Sequence, residues 1–182
     1  HVDSVVKIDP EIPLDRAALI GCAVMTGVGA AINTAGVEAG STAAVFGAGG
    51  VGLNVIQGCA LSGASAIIAV DTAPEKLEMA RRFGATHTLD PAREENVVKS
   101  IRSLTGGGAD YAFECVGNGA VVAQAYGSIR KGGTAVAVGV APPRDKTSIR
   151  AASLVFGEKT LTGSYFGSAR PREDFPRRLS LY

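Results

Sequence analysis

Six residues constrain this 182-residue chain more than any others: Gly47-Ala48-Gly49-Gly50-Val51-Gly52, a G-x-G-x-x-G run. Chance alone produces such a run in glycine-rich chains, so its surroundings decide its meaning. It follows a short apolar segment of strand composition, Thr42–Phe46. It opens a segment, Val51–Leu61, with apolar residues at helical spacing: Val51, Val55 and Cys59 on one side, Leu53, Ile56 and Ala60 beside them. A second apolar run, Ala66–Val70, ends in an acid, Asp71, 24 positions after Gly47. In a strand–turn–helix–strand unit Gly47 makes the tight turn, Gly49 lets the backbone approach a pyrophosphate, and Gly52 lets the helix lie close on the strand. Gly50 and Val51 start a helix whose free N–H groups and positive dipole end face the phosphates. Asp71 is placed to accept hydrogen bonds from both hydroxyls of the adenosine ribose. The combination predicts a dinucleotide site.

Asp71 also bears on which dinucleotide. Its carboxylate repels a 2′-phosphate, and Thr72 and Ala73 supply no arginine to hold one. NAD is favoured over NADP. Lys76, one helical turn further on, is within reach of the ribose edge, although a solvated helix face explains it equally well.

The alternation extends along the chain. Ser4–Ile8 reads as a short strand, and Asp15–Ile20 and Val24–Gly36 read as helices broken by Gly21 and near Gly27. Thr72-x-x-Glu75 has the form of a capping box, with Pro74 in the first turn of a helix that stops at Gly84. Thr86–Leu89, Asp110–Val116, Thr134–Val138 and Thr160–Ser164 read as strands. Glu94–Leu104 and Gly119–Ile129 read as helices, and the tail is charged and broken by prolines. Strands alternating with helices of 10–15 residues predict βαβ units, hence an α/β, doubly wound (Rossmann) fold of about six parallel strands with helices on both faces.

Composition excludes several classes. Lys and Arg number 18 against 17 Asp and Glu, a net charge of +1, so no electrostatic footprint for nucleic acid or polybasic membrane anchor is present. Glu38 is the one charged residue between Ala17 and Val70. That interval is long enough to span a bilayer, but its glycines and interspersed polar residues fit a buried strand and helix instead. Cys22, Cys59 and Cys115 are scattered and odd in number, which argues against a disulfide framework and for a reducing, cytoplasmic setting. No signal peptide is read. The start at His1 and the end at Tyr182, inside a helix-like run, are those expected of a piece of a longer protein.

Several stretches together resemble the zinc-dependent medium-chain alcohol dehydrogenases. They are Leu19-Ile-Gly-Cys22 with Thr26-Gly27, Ala44 to Leu53, Ile67 to Asp71, Gly84-Ala-Thr86, Gly107-Gly-Ala-Asp110, Phe113-Glu114, Val138-Gly139-Val140 and Gly163-Ser-Tyr-Phe-Gly167. The resemblance runs from about residue 4 to the end and covers the middle of that family's polypeptide. It implies that Cys22 is a protein ligand of the catalytic zinc, completing a tetrahedral site with one open position. It implies that Thr26 packs near the nicotinamide, that Val51 presses on its ring, and that the backbones of Val138, Ser164 and Phe166 grip the carboxamide. Cys115, Val116, Gly139 and Val140 line the same trough. It further implies a 24–165 coenzyme domain, with 1–23 and 166–182 leading from and into a catalytic domain. Segment 148–162 matches the edge through which such domains form homodimers.

The implied chemistry is hydride transfer between a primary alcohol or its aldehyde and the nicotinamide, with zinc polarising the substrate oxygen. The family's second cysteine and its Gly-His-Glu histidine are missing from this sequence, where the histidines are His1 and His87. The piece alone is therefore expected to bind NAD without turning over substrate, and no catalytic residue is assigned within it. Two alternatives stay open: a zinc-free quinone or enoyl reductase, and a non-catalytic NAD-binding module. Cys22 and Asp71 speak against the first, and truncation explains the missing ligands more simply than the second. Cys59 reads as core, His87 as a surface residue, Glu114 as a cap of the following turn, and Arg170, Arg172, Arg177 and Arg178 as solvated surface.

Overall fold

The computed structural model describes residues 5–180. Six parallel strands, β1 (Thr42–Phe46), β2 (Ala66–Val70), β3 (His87–Leu89), β4 (Ala109–Glu114), β5 (Ile129–Ala137) and β6 (Thr160–Gly163), form one sheet in the order β3-β2-β1-β4-β5-β6. This is the doubly wound architecture expected. The direction of winding reverses between β1 and β4, which makes the carboxyl ends of those two strands the point where a crevice opens.

The period-2 geometry of the strands sorts their side chains into two cores. Ala43, Val45, Ile67, Ala69, Phe113 and Val136 face the helix Gly50–Leu61, whose Val55, Ile56 and Cys59 are fully buried. Ala44, Phe46, Ile68, Val70, Ala112 and Ala135 face the opposite layer, where Val97 and Ile101 of helix Val97–Leu104 meet Ala125 and Tyr126 of helix Gly119–Ser128. Both faces being covered explains why the central strands read as unbroken apolar runs.

The structure corrects the reading of the first 36 residues. Leu14–Ala35 is one 22-residue helix, with wide π-type turns at Ile20–Val24 and Ala30–Ala35, and neither Gly21 nor Gly27 breaks it. Gly27 serves a helix crossing: a Cβ there would lie 2.5 Å from the Val51 carbonyl oxygen. The helix runs through residues 23 and 24 without interruption. It is long and apolar enough to cross a membrane by length and composition. In this fold its Met25 and Gly27–Ala31 are buried against protein. Residues 5–8 form no strand, and Ser4 lies outside the described residues; no described strand lies alongside to pair with them.

Other local differences have simple causes. The Thr72–Glu75 capping box does not form, because helix Pro74–Arg82 starts one residue later, with Ala73 as its uncapped N-cap. Asn96 and Asn118 cap their helices through side-chain oxygens instead. The 148–162 edge contains a short helix, Ala151–Gly157, ahead of β6. The charged tail folds as helix Pro171–Leu179, and Arg178, read as solvated, is 8% exposed. Asp174 from the same helix is also buried and accepts a hydrogen bond from the Arg170 N–H, which caps the helix start.

Candidate functional site

Five of the six strands are extended by one hydrogen bond beyond the carboxyl end. Asp71 donates its N–H to Leu89, Gly47 to Val70, Cys115 to Phe46, Val138 to Glu114 and Ser164 to Ala137. The five residues that follow β2, β1, β4, β5 and β6 are thereby set side by side along one rim of the sheet. Residues far apart in sequence, from 47 to 164, share this rim because parallel strands end at the same side.

The glycine loop occupies the centre of the rim. Gly47 has φ +90°, a conformation that costs L side chains, and a Cβ on it would come within 2.8 Å of Val116 Cγ2. A Cβ on Gly52 would sit 1.8 Å from the Gly47 carbonyl oxygen, so the helix lies directly on the turn. Gly49, the exposed N-cap of that helix, would meet nothing within 4 Å. No side chain caps the helix and no acid lies in its first turn, which leaves the N–H groups of Gly50, Val51 and Gly52 without an anionic partner from the helix. Ala48 between them is buried.

Asp71 does more than the spacing predicts. Its Oδ2 accepts the Ala48 N–H at 2.8 Å, and its Oδ1 accepts the Ala73 N–H at 3.0 Å. The carboxylate therefore braces the glycine loop against the next turn, and each oxygen keeps a further lone pair for a hydroxyl donor. Lys76 Nζ lies 3.8 Å from Oδ2, half exposed, and offsets part of its charge.

A cleft of about 510 Å³ lies over this centre. Of the residues expected at the site, Gly47, Gly49, Asp71, Lys76, Cys115 and Val116 line it. Phe46, Val70, Thr72, Pro91, Val121 and Gln124 line it too and had not been singled out for it. Pro91 lies two residues past the end of β3, so the rule that ligands gather past strand ends would have found it. Val121 and Gln124 belong to helix Gly119–Ser128, and their approach is a product of the β1–β4 neighbourhood, which no local pattern encodes.

The remaining candidates lie outside the lining of this cleft. Thr26 sits on the long helix next to Gly27, which touches the turn carrying Val51. Val138 and Gly139 both donate their N–H groups to the Glu114 carbonyl, and Val140 is 89% exposed. Ser164 is buried, while Phe166 is half-buried in a left-handed turn. Glu114 is 1% exposed and caps its turn, its Oε1 accepting from the N–H groups of Val116 and Gly117, each at 2.7 Å. Burial, and after it the neighbouring Glu114, pushes the Cys115 thiol far up, so it is a neutral wall rather than a nucleophile. Burial alone pushes Cys59 up to about 12.

The chain by itself does not fit a zinc ion. Cys22 is exposed on the long helix, one turn before Thr26. Among the described residues no group of three or more His, Cys, Asp or Glu is gathered to hold a metal. His87 lies exposed on β3 with Nδ1 against the Thr86 hydroxyl. A second cavity, about 540 Å³, opens between the long helix and Leu179; its walls are apolar except for Arg16, Gln57 and Arg178.

An all-parallel sheet whose first strand turns through G-x-G-x-x-G into a helix, with an acid braced at the end of the second, defines the doubly wound, Rossmann-like class. Comparison with known proteins narrows the class. Residues 50–182 match the model of the family described as zinc-binding dehydrogenase. The S-(hydroxymethyl)glutathione dehydrogenase of Paracoccus denitrificans is 45% identical over 98% of this chain and 49% of its own length. The crystal structure of an alcohol dehydrogenase zinc-binding domain protein from Burkholderia ambifaria superposes with a TM-score of 0.93 at 38% identity, covering 97% of this chain and 47% of that one. A zinc-binding dehydrogenase from Sinorhizobium meliloti 1021, bound to NADP, gives 0.79 at 28% identity, covering 89% and 48%. The chain belongs to the zinc-dependent medium-chain alcohol dehydrogenase family. It spans about half the length of the curated relatives it matches.

Proposed function

We propose that this chain is the coenzyme-binding part of an NAD-dependent zinc alcohol dehydrogenase, acting on a primary alcohol or its aldehyde. The observation that carries the reading is Asp71, fixed by the Ala48 and Ala73 N–H groups at the lip of the cleft beside Gly49. The bound dinucleotide supplies the hydride acceptor or donor. The helix start at Gly50 offers N–H groups to the pyrophosphate, Asp71 accepts from the ribose hydroxyls, and Cys115 and Val116 exclude water from one wall. Val51, with Thr26 nearby, and the rim at Val138–Val140 and Ser164–Phe166 receive the nicotinamide end. Cys22 contributes one thiolate to a zinc site whose other ligands come from outside this sequence. The 182 residues alone bind NAD and do not turn over alcohol. Exposed Val155 and Phe156, 74% and 81%, in the helix that precedes the edge strand β6, support a homodimer through 148–162. A cytoplasmic setting accords with three free cysteines.

Calorimetric titration with NADH and with NADPH at matched salt tests the reading. NADH is expected to bind more tightly, and Asp71→Ala to weaken it by about tenfold or more, since two N–H groups lose their acceptor. The same substitution is expected to narrow the gap between the two dinucleotides. A preference for NADPH would overturn the role of Asp71 and favour a reductase, a reading to which Lys76 beside the carboxylate and the NADP-bound relative lend support.

A further inference from the structure

Three consecutive residues, Phe166, Gly167 and Ser168, hold left-handed backbone at φ 52°, 67° and 49°. Only the middle one is glycine, so Phe166 and Ser168 adopt a conformation that L residues avoid and that persists only where surroundings hold it. Two kinds of contact do so. Gly167 is pressed into the long helix: a Cβ on it would lie 2.2 Å from the Met25 carbonyl oxygen, and one on Gly29 would lie 2.4 Å from the Gly167 oxygen. The second contact is polar. Thr34 Oγ1, in the last turn of the long helix, lies 2.8 Å from Ser164 Oγ and 2.8 Å from Ser168 Oγ, and Asn33 Nδ2 donates to the Gly167 carbonyl at 3.1 Å. One hydroxyl bridges both ends of the turn, within hydrogen-bond distance of both serine hydroxyls.

Resting on the reading that Ser164–Phe166 meets the nicotinamide end, we propose that Thr34 is a positioning residue for that end of the dinucleotide. It touches no ligand itself. Its hydroxyl ties Ser164, the first residue past β6, to Ser168, and so fixes the backbone between them before the dinucleotide arrives. The group to be bound is a planar carboxamide, whose hydrogen bonds to backbone are directional, and pre-set geometry spares the ordering of a strained turn on binding. The Thr34 contacts span 130 and 134 residues, so sequence pattern could not show them.

The test titrates the 182-residue chain with NADH and with ADP-ribose, which lacks the nicotinamide, in wild type, Thr34→Val, Thr34→Ser and Ser168→Ala. Thr34→Val is expected to weaken NADH about tenfold, the scale of one or two hydrogen bonds lost, and to leave ADP-ribose within twofold. Thr34→Ser retains the wild-type affinity, and Ser168→Ala, at an exposed position, gives an intermediate loss. Amide hydrogen exchange at Phe166–Ala169 speeds up in Thr34→Val and stays at the wild-type rate in Thr34→Ser. Unchanged NADH affinity in Thr34→Val, or equal losses for both ligands, overturns the proposal and leaves the nicotinamide assignment standing. Equal affinity of NADH and ADP-ribose in the wild type overturns the assignment itself, and the role of Thr34 with it.

Discussion

Gly49 and Gly52 belong to one motif but answer to different physics, and alanine at each separates them. At Gly52 an added Cβ falls 1.8 Å from the Gly47 oxygen and 2.8 Å from its carbonyl carbon. Relief to ordinary contact needs a shift of about 1.5 Å. The turn cannot yield, since Gly47 is backed by Cys115 and Val116, and the helix cannot retreat, since Val55, Ile56 and Cys59 are fully buried beneath it. The cost belongs at the upper end of overpacking, about 3 kcal/mol. For a chain of this size that lowers Tm by roughly 6–12 °C. On the proposed reading, displacing the helix start also costs at least one charge-assisted bond to phosphate, an expected loss in NADH affinity of about tenfold or more. At Gly49 the added Cβ meets nothing, and φ −77° suits alanine. Lost glycine entropy in the unfolded chain and a poorer N-cap nearly cancel, so Tm stays within about 3 °C. The methyl still stands at the cleft and holds the pyrophosphate off the backbone, so NADH binding drops about tenfold or more. Thermal unfolding followed by circular dichroism, with calorimetric NADH titration of both variants, reads the two effects separately. A Gly49→Ala protein that melts as low as Gly52→Ala, or a Gly52→Ala protein that melts with wild type, would refute the argument.

Two further outcomes follow from burial. Arg178 is 8% exposed, its Nε has no hydrogen-bond partner, and it lines an apolar cavity, so Arg178→Leu is expected to leave Tm unchanged or to raise it. Asp174 keeps its bond to the Arg170 N–H in that variant; a loss beyond about 2 kcal/mol in denaturant melts would show that Arg178 neutralises it more than the desolvation of the guanidinium costs. Cys59 holds its proton to about pH 12 in the fold, whereas an unfolded thiol releases it near 9, so the unfolded state binds fewer protons between those values and stability falls as pH rises through them. Denaturant melts at pH 8 and pH 10 should differ by about 1 kcal/mol from this group, and Cys59→Ala should flatten the slope by that amount; an unchanged slope would place its origin elsewhere.

The core of the site was legible because it is local. Gly47 to Gly52 and Asp71 lie within one strand–helix–strand unit, where Gly52 rests on the Gly47 carbonyl, and β1 and β2 announce themselves as apolar runs. The alternation of periods 2 and 3.6 likewise settles an α/β class. Gly27 misled because a glycine in a helix is read as a break, whereas here it admits another helix, a contact that exists only after folding. Arg178 misled in the opposite sense: its charge reads as solvent-facing until helix Pro171–Leu179 is laid against the long helix.

The sequence by itself determined the glycine turn, the helix start behind it, the acid at the end of β2 and the alternating pattern of the sheet, since each depends on residues near one another along the chain. Only the tertiary structure decided that Asp71 spends its carboxylate on the glycine loop, that Val121, Gln124 and Pro91 close the cleft, and that Thr34 holds the turn after β6. Those contacts join segments from 2 to 134 residues apart. Their geometry is fixed by strand order and helix crossing, quantities that local composition and spacing do not carry.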